Sequence, residues 1–389
     1  MKPLDEALNK FIAANINQPI AKVALLLAKH RELDKTFVLN QINGYQKAVN
    51  KLPKFAKSSK ITYPTPLSLE QCSSETTAKF KVSVVAGNSL LDLTGGFGVD
   101  AYYFSKKFNS VTYIEQNKAL FNVATSNFVQ LDAKNITCYC VSAEDYLKTN
   151  TKQFDVVYID PARRNEAQKV FQLEDCSPPV LDLLPKLMAI ASNILIKTSP
   201  MLDIKKAIIQ LKFVSEVIVL SIKNECKEVL YLLKNKPTAQ VKLTTINIGS
   251  TTQIFSFTYA DEESALTVFS SPQTYLYESN SAILKAGGFK IVASKFNVQK
   301  LALHSHLYTS EKHVDAFPGR CFKITNVMAY QPKLFFNLNL KKANVSCRNF
   351  IENVELVKKK LNIKDGGDVY IFATTLANKK PVLLICEKI

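Results

Sequence analysis

Residues 90–100, "LLDLTGGFGVD", pass from an apolar run into a helix start through three glycines, Gly95, Gly96 and Gly98. Glycine lets a backbone come close to a ligand and take positive φ without a steric penalty. The helix that follows turns its N-terminal partial positive charge toward whatever lies on the loop. Glu115 closes the next apolar run, 19 residues beyond Gly96, and a carboxylate at that place can accept both hydroxyls of an adenosine ribose. Gly96-x-Gly98-x-x-Ala101 satisfies the loose dinucleotide fingerprint, which keeps a nicotinamide-dependent oxidoreductase open.

Outward from this loop the chain alternates short apolar strands with helical stretches. Strands are expected at 89–94, 110–115, 135–141, 154–159 and 193–197, with helices at 99–108, 117–131 and 178–192. That alternation predicts an α/β fold with a parallel, doubly wound sheet. Two more strands, 214–221 and 228–233, have about six residues between them, too few for a crossover helix, so they must form a hairpin. Before the sheet, residues 1–50 carry apolar positions at helical spacing, punctuated by Gly44 and Pro53. "LPKFAKSSKITYPTPLSLEQ" then reads as a linker or extended segment. Beyond 236, "VKLTTINIGSTTQIFSFTY" reads as a hairpin turning at Gly249-Ser250, and "YLYESNSAILKAGGF" as a helix start. The tail mixes strands with a lysine-rich helix, "RNFIENVELVKKKLNI", in a small α+β domain.

Composition narrows the partners. Of 389 residues, 47% are apolar and 21% charged, a globular balance, and no run of 18 apolar residues suggests a membrane span. The start "MKPLDEALNKF" lacks an apolar signal region, and the eight scattered cysteines contain no CxxC, so a cytoplasmic protein with reduced thiols is expected. His304, His306 and His313 lack neighbouring acids or thiols, and no metal is expected. The net charge of +17 is uneven: residues 1–60 hold 11 Lys/Arg against 4 Asp/Glu, and residues 315–389 hold 13 against 6. Basic flanks around a nearly neutral middle point to a polyanion, foremost nucleic acid.

Asp92 stands just ahead of Thr94-Gly95-Gly96-Phe97-Gly98, and this stretch resembles motif I of class I S-adenosylmethionine methyltransferases, where the turn faces the amino-acid end of the cofactor. The other reading of Asp92 is a carboxylate that only hydrogen-bonds the loop. Together with Glu115, the terminal strand hairpin and Asp160-Pro161, the resemblance implies a Rossmann-like methyltransferase sheet, with S-adenosylmethionine over residues 94–98. "VSAEDYL", 141–147, falls where that family contacts the adenine. Ser142 and Ala143 are at the contact, Ser142 replaces the usual acid, and Glu144 or Asp145 lies within a small shift of register. "SLEQCSSETTAKFK", "YLYESNSAILKAGGFK" and "VKKKLNIKDGGDVYIFATTL" resemble stretches of a bacterial group of these enzymes with a ferredoxin-like insert and a THUMP-like terminal domain, and the likeness covers nearly the whole chain. It implies that Gln71, Ser74 and Thr77 hold the methionine end of the cofactor; capping of a helix beginning near Ser73 is the alternative. It also implies that the carboxyl-terminal domain contacts structured RNA, tRNA or rRNA. The expected domains are N-terminal helical (1–60), methyltransferase (61–236), connecting hairpin (237–273), ferredoxin-like (274–318) and THUMP-like (319–389).

The target side is read from "FDVVYIDPARR", 154–164. Pro161 has no N–H for a ladder, so the strand stops there and leaves Asp160, Arg163 and Arg164 at its carboxyl end. Amino-methyltransferases resembling this fold carry Asp/Asn-Pro-Pro-aromatic at this place. The acid accepts from the amine and the ring stacks on the base. Here Asp160 and Pro161 match, while the second Pro and the aromatic are missing. Arg163 or Arg164 could stack a base or hold a phosphate, or pair with Glu166, Glu174 or Asp175. After the fifth strand, "IKTSP" holds no Cys where pyrimidine C5-methyltransferases place their nucleophile. The sequence therefore favours direct methyl transfer to a base nitrogen of RNA. A catalytically idle RNA-binding protein of the same fold and a small-molecule methyltransferase remain as alternatives.

Overall fold

The computed structural model describes residues 6–163, 172–236 and 238–389. They fall into two compact units, one of residues up to 214 together with 231–236, the other of 215–230 and 238–389.

In the first unit the parallel strands are β1 (Ser89–Asp92), β2 (Ser110–Ile114), β3 (Ile136–Tyr139), β4 (Phe154–Ile159) and β5 (Ala191–Thr198), in the order β5-β4-β1-β2-β3. Each neighbouring pair is parallel. Apolar side chains fill both faces of β1 and β4, where Leu90, Leu91, Val156 and Val157 are fully buried, as a sheet covered by helices on both sides requires. The crossover helices are Val99–Phe104, Lys118–Gln130, Ala143–Thr149 and Val180–Ile190. The chain winds from β1 outward to β3, then returns to β4 on the other side of β1. The carboxyl ends of β1 and β4 therefore flank the switch point at which doubly wound sheets bind ligands.

Three amphipathic helices, Glu6–Asn15, Ile20–Leu27 and Lys35–Lys51, precede the sheet and share a core of Val23, Leu27, Leu33, Val38 and Ile42. Gly44 does not punctuate them. It lies buried inside Lys35–Lys51, where a Cβ would stand 2.3 Å from Tyr63 Cβ; close packing, not a turn, requires glycine there. Nor is the proline-rich stretch a loose linker. Thr62 exchanges two hydrogen bonds with the Asn127 side chain (2.9 and 2.8 Å), and Tyr63 exchanges two with Gln41 (both 3.0 Å). The extended backbone thus satisfies its polar groups on two buried amides and ties the first helices to Lys118–Gln130.

Strands β6 (Val214–Ile222) and β7 (Glu225–Lys234) are neighbours joined by Lys223-Asn224, both at positive φ, as a two-residue hairpin turn demands. In the second unit, Lys242–Ile248 and Thr252–Thr258 form the antiparallel hairpin around Gly249-Ser250. A seven-stranded sheet follows, in the order Gln299–Lys300, Leu307–Ser310, Tyr275–Ser279, Gly319–Ala329, Pro381–Lys388, Val369–Thr375, Asn344–Arg348. Two expectations change here. "YLYES" is a strand, and its helix starts only at Ser281, capped by Asn280, whose side chain accepts from Ile283 N–H. The lysine-rich helix is Val354–Leu361, capped by Asn353; its expected first residue, Arg348, ends a strand instead. Among the described residues no helix is long and apolar enough to cross a membrane.

Candidate active site at the carboxyl ends of the parallel strands

The glycine loop is held from both sides. Gly95 N–H donates to Ile114 O (2.8 Å), and Tyr113 OH donates to Gly96 O (2.6 Å). A Cβ on Gly95 would lie 2.1 Å from the Tyr113 ring, so the loop can press on that ring only as glycine. Gly98 has φ +82° with the Phe128 ring 2.5 Å from a would-be Cβ. Among the described residues Gly96, at φ +56°, meets only Thr94 O, at 3.8 Å, so they leave the loop open at that point. Glu115 receives Gly96 N–H (2.8 Å) and Asn117 N–H (2.7 Å), fixing the loop against the end of β2.

Asp92 is fully buried. Its Oδ1 accepts from Thr94 N–H at 3.1 Å, while Oδ2 has no partner among the described residues. Burial, with Asp100, Asp160 and Glu115 adding like charge, pushes its carboxyl well above the ordinary range, although the Thr94 hydrogen bond opposes the shift. Asp100, in the first turn of Val99–Phe104, is treated differently. It accepts from Ser73 Oγ (2.7 Å) and Tyr158 OH (2.9 Å), and Lys81 Nζ lies 3.2 Å from Oδ1. Burial alone would raise it, but Lys81, Lys197 and these hydroxyls hold it below the ordinary carboxylate value. This buried cluster of Ser73, Lys81, Asp100 and Tyr158 was not foreseen from the sequence. It ties the segment before helix Glu75–Val84 to the helix after the glycine loop.

At the carboxyl end of β4, the pairing with β5 sets Ile159 opposite Ile196. The next residues on the two strands, Asp160 and Lys197, then form an ion pair through Asp160 Oδ2. Their side chains are 31% and 13% exposed, so the pair sits at the surface of the strand ends. Asp160 N–H donates to Thr94 Oγ1 at 2.7 Å, which joins the end of β4 directly to the glycine loop. Lys197 received no role from the sequence. The available signal was that Asp160 and Lys197 are each the first charged residue after the apolar run of adjacent parallel strands. Pro161 is buried beside Asp160. Arg163 belongs to a two-residue strand, Ala162–Arg163, paired with Cys176–Ser177. Arg164 and Glu166 lie outside the described residues.

The remaining predicted residues have local partners. Ser74 caps helix Glu75–Val84 by accepting from Thr77 N–H, and Thr77 Oγ1 donates back to Ser74 O; Gln71 is exposed at the end of helix Pro66–Gln71. Ser142 caps Ala143–Thr149, accepting from Asp145 N–H (3.1 Å) and donating to Asp145 Oδ2 (2.8 Å), with Ala143 buried beneath it. Asp145 also binds Lys148. Capping thus accounts for the hydrogen bonds of Ser74 and Ser142.

Residues 56–211 match a family described as conserved hypothetical protein 95, residues 275–318 a ferredoxin-like domain, and residues 319–388 a THUMP domain-like family. Over 107 residues the chain is 31% identical to an uncharacterized RNA methyltransferase of Mycoplasma mobile, a stretch that makes up 27% of this chain and 28% of that protein. A crystal structure described as "putative methyltransferase from Porphyromonas gingivalis W83" superposes with a TM-score of 0.88 and 32% identity, covering 98% of this chain and 97% of the other. Likeness at that identity along the whole of both chains, with the glycine loop, Glu115 and Asp160 arranged around one switch point, shows that the protein belongs to the bacterial class I S-adenosylmethionine-dependent methyltransferase family with ferredoxin-like and THUMP-like carboxyl-terminal domains.

Proposed function

We propose that the protein methylates a base nitrogen of structured RNA, with Asp92, Thr94, Gly95, Gly96, Gly98 and Glu115 holding S-adenosylmethionine and Asp160 facing the target. The observation that carries this reading is the hydrogen bond from Asp160 N–H to Thr94 Oγ1, because it couples the loop that would hold the cofactor to the carboxylate that would meet the base. The described residues suit such a ligand: among them Gly96 leaves the loop open, and Asp92 brings to the same turn a buried carboxylate oxygen that none of them partners. S-adenosylmethionine supplies an electrophilic methyl group, and the chain's own task is to orient the nucleophile against it. Asp160 accepts a hydrogen bond from the base, and Thr94 keeps it in place. RNA as the substrate is supported by the basic carboxyl-terminal region, by its match to a THUMP-like family, and by the relative in Mycoplasma mobile described as an RNA methyltransferase.

Two measurements test the proposal. Titration calorimetry should show S-adenosylmethionine binding that is competed by the demethylated product; absence of heat and of competition would leave a non-catalytic protein of the same fold. Mass spectrometry of nucleosides from RNA of cells with and without the gene should show one methylated nucleoside missing. Failure to bind structured RNA even at low salt would favour a small-molecule substrate instead.

A further inference from the structure

We infer that the nitrogen methylated is the ring nitrogen of a lactam edge, an N–H beside a C=O as in guanine and uracil, and not an exocyclic amine; this rests on the methyltransferase reading above. The β4–β5 register that pairs Ile159 with Ile196 sets a carboxylate and an ammonium side by side at the strand ends, Asp160 and Lys197. An ionised carboxylate only accepts hydrogen bonds and an ammonium only donates them. A lactam edge offers one donor next to one acceptor, the pattern that Asp160 and Lys197 complement. The exocyclic amines of adenine and cytosine also stand beside a ring-nitrogen acceptor, so what singles out the lactam is the charge that its methylation builds. The backbone of Asp160 is fixed by Thr94 Oγ1, so its carboxylate meets the base from a set position.

The chemistry agrees with the recognition. A lactam nitrogen carries a proton and must lose it as it attacks. That proton passes to an Asp160 carboxylate oxygen, acting as general base. The nitrogen's electron pair forms the new bond to the methyl carbon of the sulfonium donor, while the carbon–sulfur pair departs with sulfur, which becomes a neutral thioether. The negative charge that builds on the base spreads onto the carbonyl oxygen, where the Lys197 ammonium stabilises it. An exocyclic amine generates no such oxygen charge, so the Lys197 ammonium would have no developing charge to stabilise.

The decisive experiment incubates the full-length protein and S-adenosylmethionine with total RNA from cells lacking the gene, followed by nucleoside mass spectrometry. 1-Methylguanosine or 3-methyluridine supports the inference and tells guanine from uracil. N2-methylguanosine, N6-methyladenosine, or a carbon- or ribose-methylated product overturns it while leaving an RNA methyltransferase in place. No methylated nucleoside at all overturns the RNA reading, and the inference with it. Lys197→Met should lower the rate at neutral pH by roughly 10²–10³-fold, with partial recovery as pH rises and the lactam nitrogen enters the site already deprotonated; Lys197→Arg should retain most activity. A Lys197→Met variant that melts like the parent and keeps its rate and pH profile would also overturn the assignment. If that variant does not fold, the product made by the unaltered protein decides.

Discussion

Two acid–base clusters in this molecule use the same kinds of groups to opposite ends. In the second unit, Glu278 has a side chain only 3% exposed and is clamped by Arg320 and Arg348. Arg320 Nε donates to Oε2 (2.8 Å), Arg348 Nε to Oε1 (2.8 Å), and the Nη2 atoms of both arginines join them. Two guanidinium forks on one carboxylate leave it little capacity for a ligand. Asp160 is instead 31% exposed, with its ion pair to Lys197 made through Oδ2 at the ligand-binding end of the sheet. Glu278 joins the strand Tyr275–Ser279 to Gly319–Ala329 and Asn344–Arg348, so its cluster is a fastening. Saturation and exposure, more than the presence of opposite charges, separate a structural ion pair from one available for chemistry.

Asp160→Ala should have the largest effect. It should reduce methyl transfer by roughly 10²–10⁴-fold, the range for removing a positioned acid–base group. Affinity for S-adenosylmethionine should stay nearly intact in calorimetry. Because the pair is partly exposed, the melting temperature should move little. Activity within a few-fold of the parent would place Asp160 with Glu278 among the fastenings.

Glu278→Ala should do the reverse. Breaking a pair whose carboxylate is buried costs about 3 kcal/mol, because two guanidiniums lose their partner. Amide hydrogen exchange along Tyr275–Ser279 and Gly319–Ala329 should quicken, while S-adenosylmethionine affinity stays at the parental value. Unchanged exchange would show that the arginines are satisfied by solvent and that the clamp contributes nothing.

Asp92 is the intermediate case, buried like Glu278 but with Oδ2 unpartnered among the described residues. Burial lifts its folded-state pKa above the unfolded one, so the folded protein holds the proton over a wider range. Stability from this group is therefore greatest below the ordinary carboxylate pKa and falls as pH rises from there toward the raised value. Asp92→Asn removes that loss. Its melting temperature should exceed the parent's by more at about pH 8 than at about pH 4, while S-adenosylmethionine binds more weakly. A gap between the two proteins that does not change with pH would mean that a cation or solvent already compensates Asp92.

The legibility of these sites in the sequence follows the distance between partners along the chain. Gly95, Gly96, Gly98 and Glu115 could be read because a strand, a tight turn and the following strand end form one local unit. The strand ending at Asp160 could be read because Pro161 marks its end. Lys197 could not, since only the parallel register of β4 and β5 brings it to a residue 37 positions earlier. Gly44 looked like punctuation because its real constraint, the approach of Tyr63, is a tertiary contact. "YLYESNSAILKAGGF" reads as a helix start, whereas its first residues are a strand and the cap at Asn280 puts the helix start at Ser281.

Ser142 gives the smallest effect and the finest test, because a cap and a ligand contact compete for one side chain. Its Oγ accepts from Asp145 N–H and donates to Asp145 Oδ2, and Asp145 is held in turn by Lys148. Losing a serine cap costs about 1 kcal/mol, so Ser142→Ala should melt slightly earlier. If capping is the whole role, S-adenosylmethionine affinity should remain within a few-fold of the parent. Ser142→Asp keeps an N-cap and adds negative charge beside the helix N-terminus, but it also brings a second carboxylate against Asp145. Its melting temperature should lie between those of the parent and Ser142→Ala. A clear rise in cofactor affinity for Ser142→Asp alone would show that this position faces the adenosine, and that serine here gives up affinity that an acid would supply.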